Sequence, residues 1–426
     1  MGLKGERQVG NLAVNTGVEA EKPAVPLLHN RQFVMMWLAG TLSGLALSIY
    51  LLTESWYVVR GLGRPEGLGW VLMATTLPRV FLMVIGGVVA DRFSKTRVLF
   101  VSDFTRCVLV AGMVGLLAAG SLPYGGLMIF AVCFGVLDAF FWPASQSLLP
   151  ALVAKEQLTR ANALVQTTQQ VSMVVGPAVA GFAVAYGSFT ASFGLAAVFL
   201  LLGSIVILFI KLESAGSSLS RPATSPLQEL QEGLRYARQT RFVFVIMGIS
   251  LFTNLVLTGP GQISLPVMVD QYLQGNALDL SYLESALAGG MVLGAVSVGW
   301  LNLRRRRAVS NIILISLVGV MLALFGQVST LWQALLVLIP FGAFLSAGNI
   351  LSSSLIQERV EPDKLGRISS LLSTGSMGLI PLSHGLVSII LSMGVPMPWI
   401  LLVAGVLMTL FMWWVLWQVK MVWTWD

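Results

Sequence analysis

Twelve apolar stretches, each close to the ~20 residues needed to cross a bilayer as a helix, occupy almost all of this 426-residue chain after residue 30. Short polar turns separate them. Inside hydrocarbon a backbone N–H or C=O finds no water, so each stretch must satisfy its own hydrogen bonds, and a helix does this. With 56% hydrophobic and only 11% charged residues, a soluble multidomain protein is excluded. The expected fold is an all-α membrane protein with spans near 33–59, 67–90, 97–121, 125–149, 161–187 and 189–211, then 242–267, 281–303, 308–329, 331–356, 368–394 and 398–420.

The basic residues test this map, because cytosolic turns collect Lys and Arg. All but four of the 26 lie in the two tails and in alternate turns; Arg60 and Arg64 fall on the other side, and Arg79 and Arg106 lie within spans. Both termini are therefore expected in the cytosol. The net charge of +7 follows from topology and predicts no nucleic-acid partner. Residues 1–30 read as a cytosolic tail, 31–211 and 241–420 as two six-helix bundles, 212–240 as a linker with an amphipathic helix over Leu227–Arg238, and 421–426 as a C-terminal tail. A repeat supports the division: residues 145–164 align without gaps to 352–371, with seven of twenty positions identical, Arg160 with Arg367 among them. Cys107 and Cys133 sit in apolar segments and are expected as buried free thiols.

The turn Gly86–Arg97 carries the pattern G-x-x-x-D-R-x-x-K-x-R at Gly87, Asp91, Arg92, Lys95 and Arg97. Glycines 86 and 87 are expected to let the flanking helices approach closely. The pattern resembles the signature between the second and third helices of the major facilitator superfamily of secondary transporters, whose architecture is two six-helix pseudo-repeats. In that family the turn acts as a conformational latch, and the resemblance implies that Asp91 docks near the start of the eleventh helix, marked here by Arg367. The corresponding second-half turn, Arg304 to Arg307, lacks an aspartate.

Val175 to Gly181, with Gly176, Pro177 and Gly181, looks like the Gly-Pro motif of exporters that work by antiport. Leu77-Pro-Arg79, Trp142 to Pro150, Glu156-Gln-Leu158 and Leu365-Gly-Arg367 together resemble the macrolide-efflux and enterobactin-exporter group of bacterial major facilitators. The resemblance implies proton-coupled export of a bulky amphipathic small molecule, drug- or siderophore-like, across the bacterial inner membrane. A lipid or lysolipid flippase on the same fold stands as the alternative, with a passive facilitator or nontransporting sensor beside it.

Charges within a bilayer are costly unless they face protein or water, which singles out five places. Arg79 lies about 18 Å along its span at 1.5 Å per residue, and Asp138 lies at a similar depth in the fourth. Either Asp138 exchanges a proton with Arg79 as its switching partner, or the two form a static pair. Asp103 and Arg106, three residues apart, suggest a structural ion pair on the third span. Glu54 either binds protons or cationic solute from the outer side, or snorkels to the interface. His384 has an intrinsic pKa suited to proton exchange, or is a hydrogen-bonded core residue.

Phe140, Phe141 and Trp142 either face the cavity wall or pack between helices, and Gln166, Gln169, Asn254, Gln262 and Asn349 are candidates for orienting the solute. No nucleotide-binding G-x-x-x-x-G-K-[ST] loop occurs, and only His29 and His384 are histidines, so neither an enzyme nor a metal or other cofactor is expected. The expected partners are a small-molecule substrate, protons and the lipid bilayer, with the chain acting as a monomer.

Overall fold

The first helix starts where a side chain can satisfy its free N–H groups: Asn30 Oδ1 accepts from the backbone N–H of Gln32 at 3.1 Å and of Phe33 at 3.2 Å. The computed structural model describes residues 26–120, 122–211, 235, 240–301 and 306–418. Its first six long helices are α1 Arg31–Trp56, α2 Leu68–Arg92, α3 Lys95–Ala118, α4 Tyr124–Leu152, α5 Leu158–Tyr186 and α6 Phe189–Leu208. The second six are α7 Arg241–Val267, α8 Ala277–Leu301, α9 Arg307–Phe325, α10 Leu331–Arg359, α11 Pro362–Ser392 and α12 Met397–Gln418. Among the described residues there is no strand, and eleven segments are long and apolar enough to cross a membrane. The predicted linker helix, apart from Arg235, lies outside the described residues.

The packing repeats between the halves. In the first, α2 lies on α4, α1 on α5 and α6, and α3 on α4 and α6; in the second, α8 lies on α10, α7 on α11 and α12, and α9 on α10 and α12. The two halves meet along α5 against α8 and α2 against α11, one arrangement used twice. Glycine makes the tightest crossings possible. A Cβ on Gly135 would stand 2.0 Å from the carbonyl oxygen of Thr75, and one on Gly342 would stand 2.2 Å from that of Leu287. These are the α4–α2 and α10–α8 crossings, so the pseudo-repeat extends to individual backbone contacts.

Two expectations about the ends change. Gly86 packs on α4, where its Cβ would lie 2.0 Å from the Ala139 carbonyl oxygen, and nothing comes within 4 Å of a Cβ on Gly87. The glycines therefore do not draw α2 onto α3, because α3 is held by α4 and α6 instead. The tail also ends earlier than residue 30. Leu27 is buried beside Phe33 and Leu149, and Asn30 Nδ2 donates to the Leu152 carbonyl at 2.9 Å.

Helices α1 and α7 both end in a π turn, Tyr57–Gly61 and Met268–Tyr272. These sit on the face opposite the one where α1 begins and α12 ends, the latter called here the terminal face. On the opposite face Arg60 Nη1 meets Asp270 Oδ1 at 3.0 Å, and Ser388 Oγ donates to the Glu66 carbonyl at 2.6 Å. Both contacts join one half to the other. With the Arg60 side chain 63% exposed, such a pair contributes about 0–1 kcal/mol. Arg60→Ala is thus expected to shift the balance of conformations by less than about fivefold, read as labelling rate at a cavity cysteine; a larger shift would mean that the pair dominates closure.

Candidate functional site

Where α1, α2 and α5 face α7, α8 and α10, the halves leave a cavity of about 520 Å³, within the range for a drug-sized ligand. Its wall is mostly apolar, with Leu51, Met173, Met291 and Phe341 among its residues. A second chamber of about 630 Å³, between α7, α9, α10 and α11, shares Thr253, Asn254 and Asn349 with it. Its residues come from the first half of α7, the beginning of α9, the middle of α11 and the second half of α10. The joined space therefore extends toward the terminal face, while the opposite face is crossed by the Arg60–Asp270 and Ser388–Glu66 contacts.

Asn254, Gln262 and Asn349 line this space. Gln166, Gln169, Phe140, Phe141 and Trp142 do not belong to the lining of either chamber. Helix α5 reaches the wall only at Met173 and Pro177, about one to three turns beyond the glutamines. The aromatic run has another task. Phe141 stands 4.6 Å from the guanidinium carbon of Arg106, and Trp142 stands 5.4 Å from that of Arg79, so these rings cover the faces of intramembrane cations.

The cations belong to one network. Arg79 Nη1 is 3.6 Å from Asp138 Oδ2, Arg106 Nη2 pairs with Asp138 Oδ1, and Arg106 Nη1 lies 3.3 Å from Asp103 Oδ1. Ser43 Oγ donates to the other oxygen of Asp103. The structure thus corrects the picture of two separate pairs: α3 packs on α4, which carries the Arg106 guanidinium to Asp138. Two guanidinium and two carboxylate groups balance there, and Asp103, Arg106 and Asp138 are all buried.

Glu54 is fully buried in the first half, accepts from Tyr50 Oη at 2.7 Å, and leaves Oε2 without a partner. It neither reaches the interface nor lines the chambers, since Tyr50, stacked on Phe134 at 4.3 Å, holds it in the core. His384 is also buried, 3.0 Å from Gln262 Oε1 through Nε2, while Nδ1 has no partner. Gln262 lines the cavity, so the imidazole stands just behind its wall. The seam between α2 and α11 passes the same residue: a Cβ on Gly69 would lie 2.4 Å from the His384 carbonyl oxygen.

Of the turn residues, Lys95 Nζ donates to the Ser147 carbonyl at 2.9 Å, within its own half and at the end of α4. Arg92 and Arg97 are exposed. The side chains of Asp91 and Arg367 lie outside the described residues, as do Arg304 and Arg305. In the Gly-Pro motif, a Cβ on Gly176 would meet the Ser48 side chain of α1 at 2.4 Å, and one on Gly181 would meet Ser281 of α8 at 2.5 Å. Pro177 faces the cavity between them.

One lining residue was not expected. Glu284 is the sole charged residue in the wall of the first chamber, and the second has none. It lies seven residues into α8 because that helix begins at Ala277, earlier than hydropathy suggests. Asn276 caps it, accepting from the N–H of Leu278 at 2.8 Å, while Asp279 Oδ2 accepts from the Asn276 N–H at 2.8 Å. A charge within the expected span 281–303 was the available signal. Among the described residues no three His, Cys, Asp or Glu stand together as a metal site.

A model of the Major Facilitator Superfamily matches residues 36–383. Among curated proteins, the chain is 24% identical over 360 residues to macrolide efflux protein A of Streptococcus pyogenes, covering 84% of this chain and 88% of that protein. It is 28% identical over 297 residues to the enterobactin exporter EntS of Shigella boydii serotype 18, covering 68% of each. The nucleoside transporter NupG has a similar solved structure, with a TM-score of 0.71 at 12% identity over 91% of this chain and 99% of that one. A POT family transporter in complex with a thioalcohol conjugated peptide gives 0.68 at 13% identity, over 92% and 96%.

Proposed function

Because the chain belongs to the Major Facilitator Superfamily, and is therefore a transporter and not an enzyme, we propose that it exports a bulky amphipathic small molecule by proton antiport with alternating access. The observation that carries the reading is a solute-sized space between two pseudo-repeated halves, extending toward the terminal face while contacts cross the other. On this reading the membrane is a bacterial inner membrane, both termini are cytosolic, and the state at hand faces inward. The similarity to efflux proteins for a macrolide and for enterobactin favours export of a large solute.

The energy source is inward proton movement, which gains about 2.3 kcal/mol per 100 mV of membrane potential. In the proposed cycle Asp138 takes up a proton in one conformation and releases it in the other, with Arg79 as the moving partner. Arg79 is the suited one of the two arginines, its side chain being 28% exposed against 3% for Arg106. Arg106 stays with Asp103.

Adding macrolides, siderophores, lysolipids and cationic dyes one by one to unbuffered, detergent-solubilised protein tests the coupling. A ligand-dependent pH change is expected with at least one class. Binding without any proton exchange would sink antiport and put passive facilitation or lipid flipping first.

A further inference from the structure

Resting on the export reading, we infer that Glu284 is the binding site for a positively charged organic group, so that the exported solute is an amphipathic cation. The other described intramembrane carboxylates have partners within the protein. Asp103 and Asp138 have arginines, and Glu54 has the Tyr50 hydroxyl. Glu284 has neither a cation nor a hydrogen-bond donor against it among the described residues, and it is the only charge in either chamber wall. A carboxylate in a largely apolar wall within the membrane calls for a compensating charge. Here the open space before it, and not another helix, is where that charge has room.

The chemistry of the wall selects the kind of cation. Calcium and magnesium take six or more oxygen ligands and zinc three or four Cys, His or carboxylate side chains, and no cluster of three such side chains stands here or elsewhere among the described residues. The cavity is instead far larger than an inorganic ion, with a polarizable and aromatic lining at Met173, Met291 and Phe341. Such a surface suits the apolar body of an organic ammonium, and an aromatic face attracts its charge. The amides of Asn254 and Asn349, at the junction of the two chambers, hold uncharged polar groups of the same molecule.

The test uses two dansyl fluorophores that differ only at the tail, one ending in trimethylammonium and the other in the isosteric tert-butyl group. Binding to solubilised full-length protein is measured by dansyl fluorescence, and export separately in membrane vesicles. The wild type is expected to bind the cation more tightly than the neutral probe. Glu284→Gln is expected to weaken cation binding by about tenfold or more, as for loss of one desolvated charge pair, leave the neutral probe unchanged, and be partly rescued by Glu284→Asp. Equal binding of the two probes by the wild type, or equal loss of both in Glu284→Gln, overturns the assignment. Cation-selective binding lost in Glu284→Gln, without export of either probe, upholds the subsite and sinks the export reading instead.

Discussion

Asp138→Asn is expected to abolish accumulation of solute against a gradient and, at the same time, to lower the stability of the solubilised protein. Both effects come from one carboxylate. Asp138 is 6% exposed and touches two guanidinium groups. Its replacement by an amide leaves one positive charge in excess in the membrane, and removing one partner of a buried pair costs about 3–5 kcal/mol. A lost activity alone would therefore not distinguish a proton site from a structural brace. The network itself supplies the control. Arg79→Gln combined with Asp138→Asn restores neutrality and leaves Arg106 paired to Asp103 at 3.3 Å. If Asp138 carries the proton, the double variant regains most of the thermal stability and exchanges solute down its gradient, yet does not concentrate it. Recovery of uphill export along with stability would make the network a static brace and send the search for the coupling site to Glu54, Glu284 and His384.

Hydropathy made the helices legible, because backbone hydrogen bonding in hydrocarbon leaves few alternatives, and counting residues along α2 and α4 put Arg79 and Asp138 at one depth. Arg106 was assigned to Asp103 alone. Spacing of three residues along α3 reports only neighbours on that helix, whereas the contact with Asp138 depends on how α3 lies on α4. Phe141 and Trp142 stayed open for a similar reason: aromatic residues are equally at home on a solute-facing wall and over a guanidinium, and only the rotation of α4 decides between them. Glu284 falls inside the span expected over 281–303, but only three residues from its start, where a carboxylate reads as an interfacial group; the start of α8 at Ala277 sets it a further turn into the membrane. Cavities, finally, are properties of the gap between helices from opposite halves, and no local pattern encodes a gap.

Gly69→Val and Gly87→Val are expected to stop transport in opposite conformations. Alternating access requires α2 to rock against α11, closing at one end while it opens at the other. Gly69 sits at the end now in contact, where a Cβ would lie 2.4 Å from the His384 carbonyl oxygen and 2.5 Å from Ser388 Oγ. Because the nearer obstacle is backbone, it cannot swing aside. Gly87 sits near the other end of α2, and a Cβ there meets nothing within 4 Å in this state. If the signature turn works as a latch, Gly87 comes against the second half only when the terminal face closes. Valine at 69 therefore penalises the present state and valine at 87 penalises its alternative. Overpacking of about 1–3 kcal/mol corresponds to a population shift of about five- to 150-fold. Ser353→Cys, in the second chamber, reports the shift once Cys107 and Cys133 are replaced by alanine. An impermeant maleimide added from the terminal face is expected to label that cysteine more slowly with Gly69→Val and at least as fast with Gly87→Val. Full transport by Gly87→Val would mean that the end of α2 never closes on the second half at that glycine, and the latch would have to be sought elsewhere.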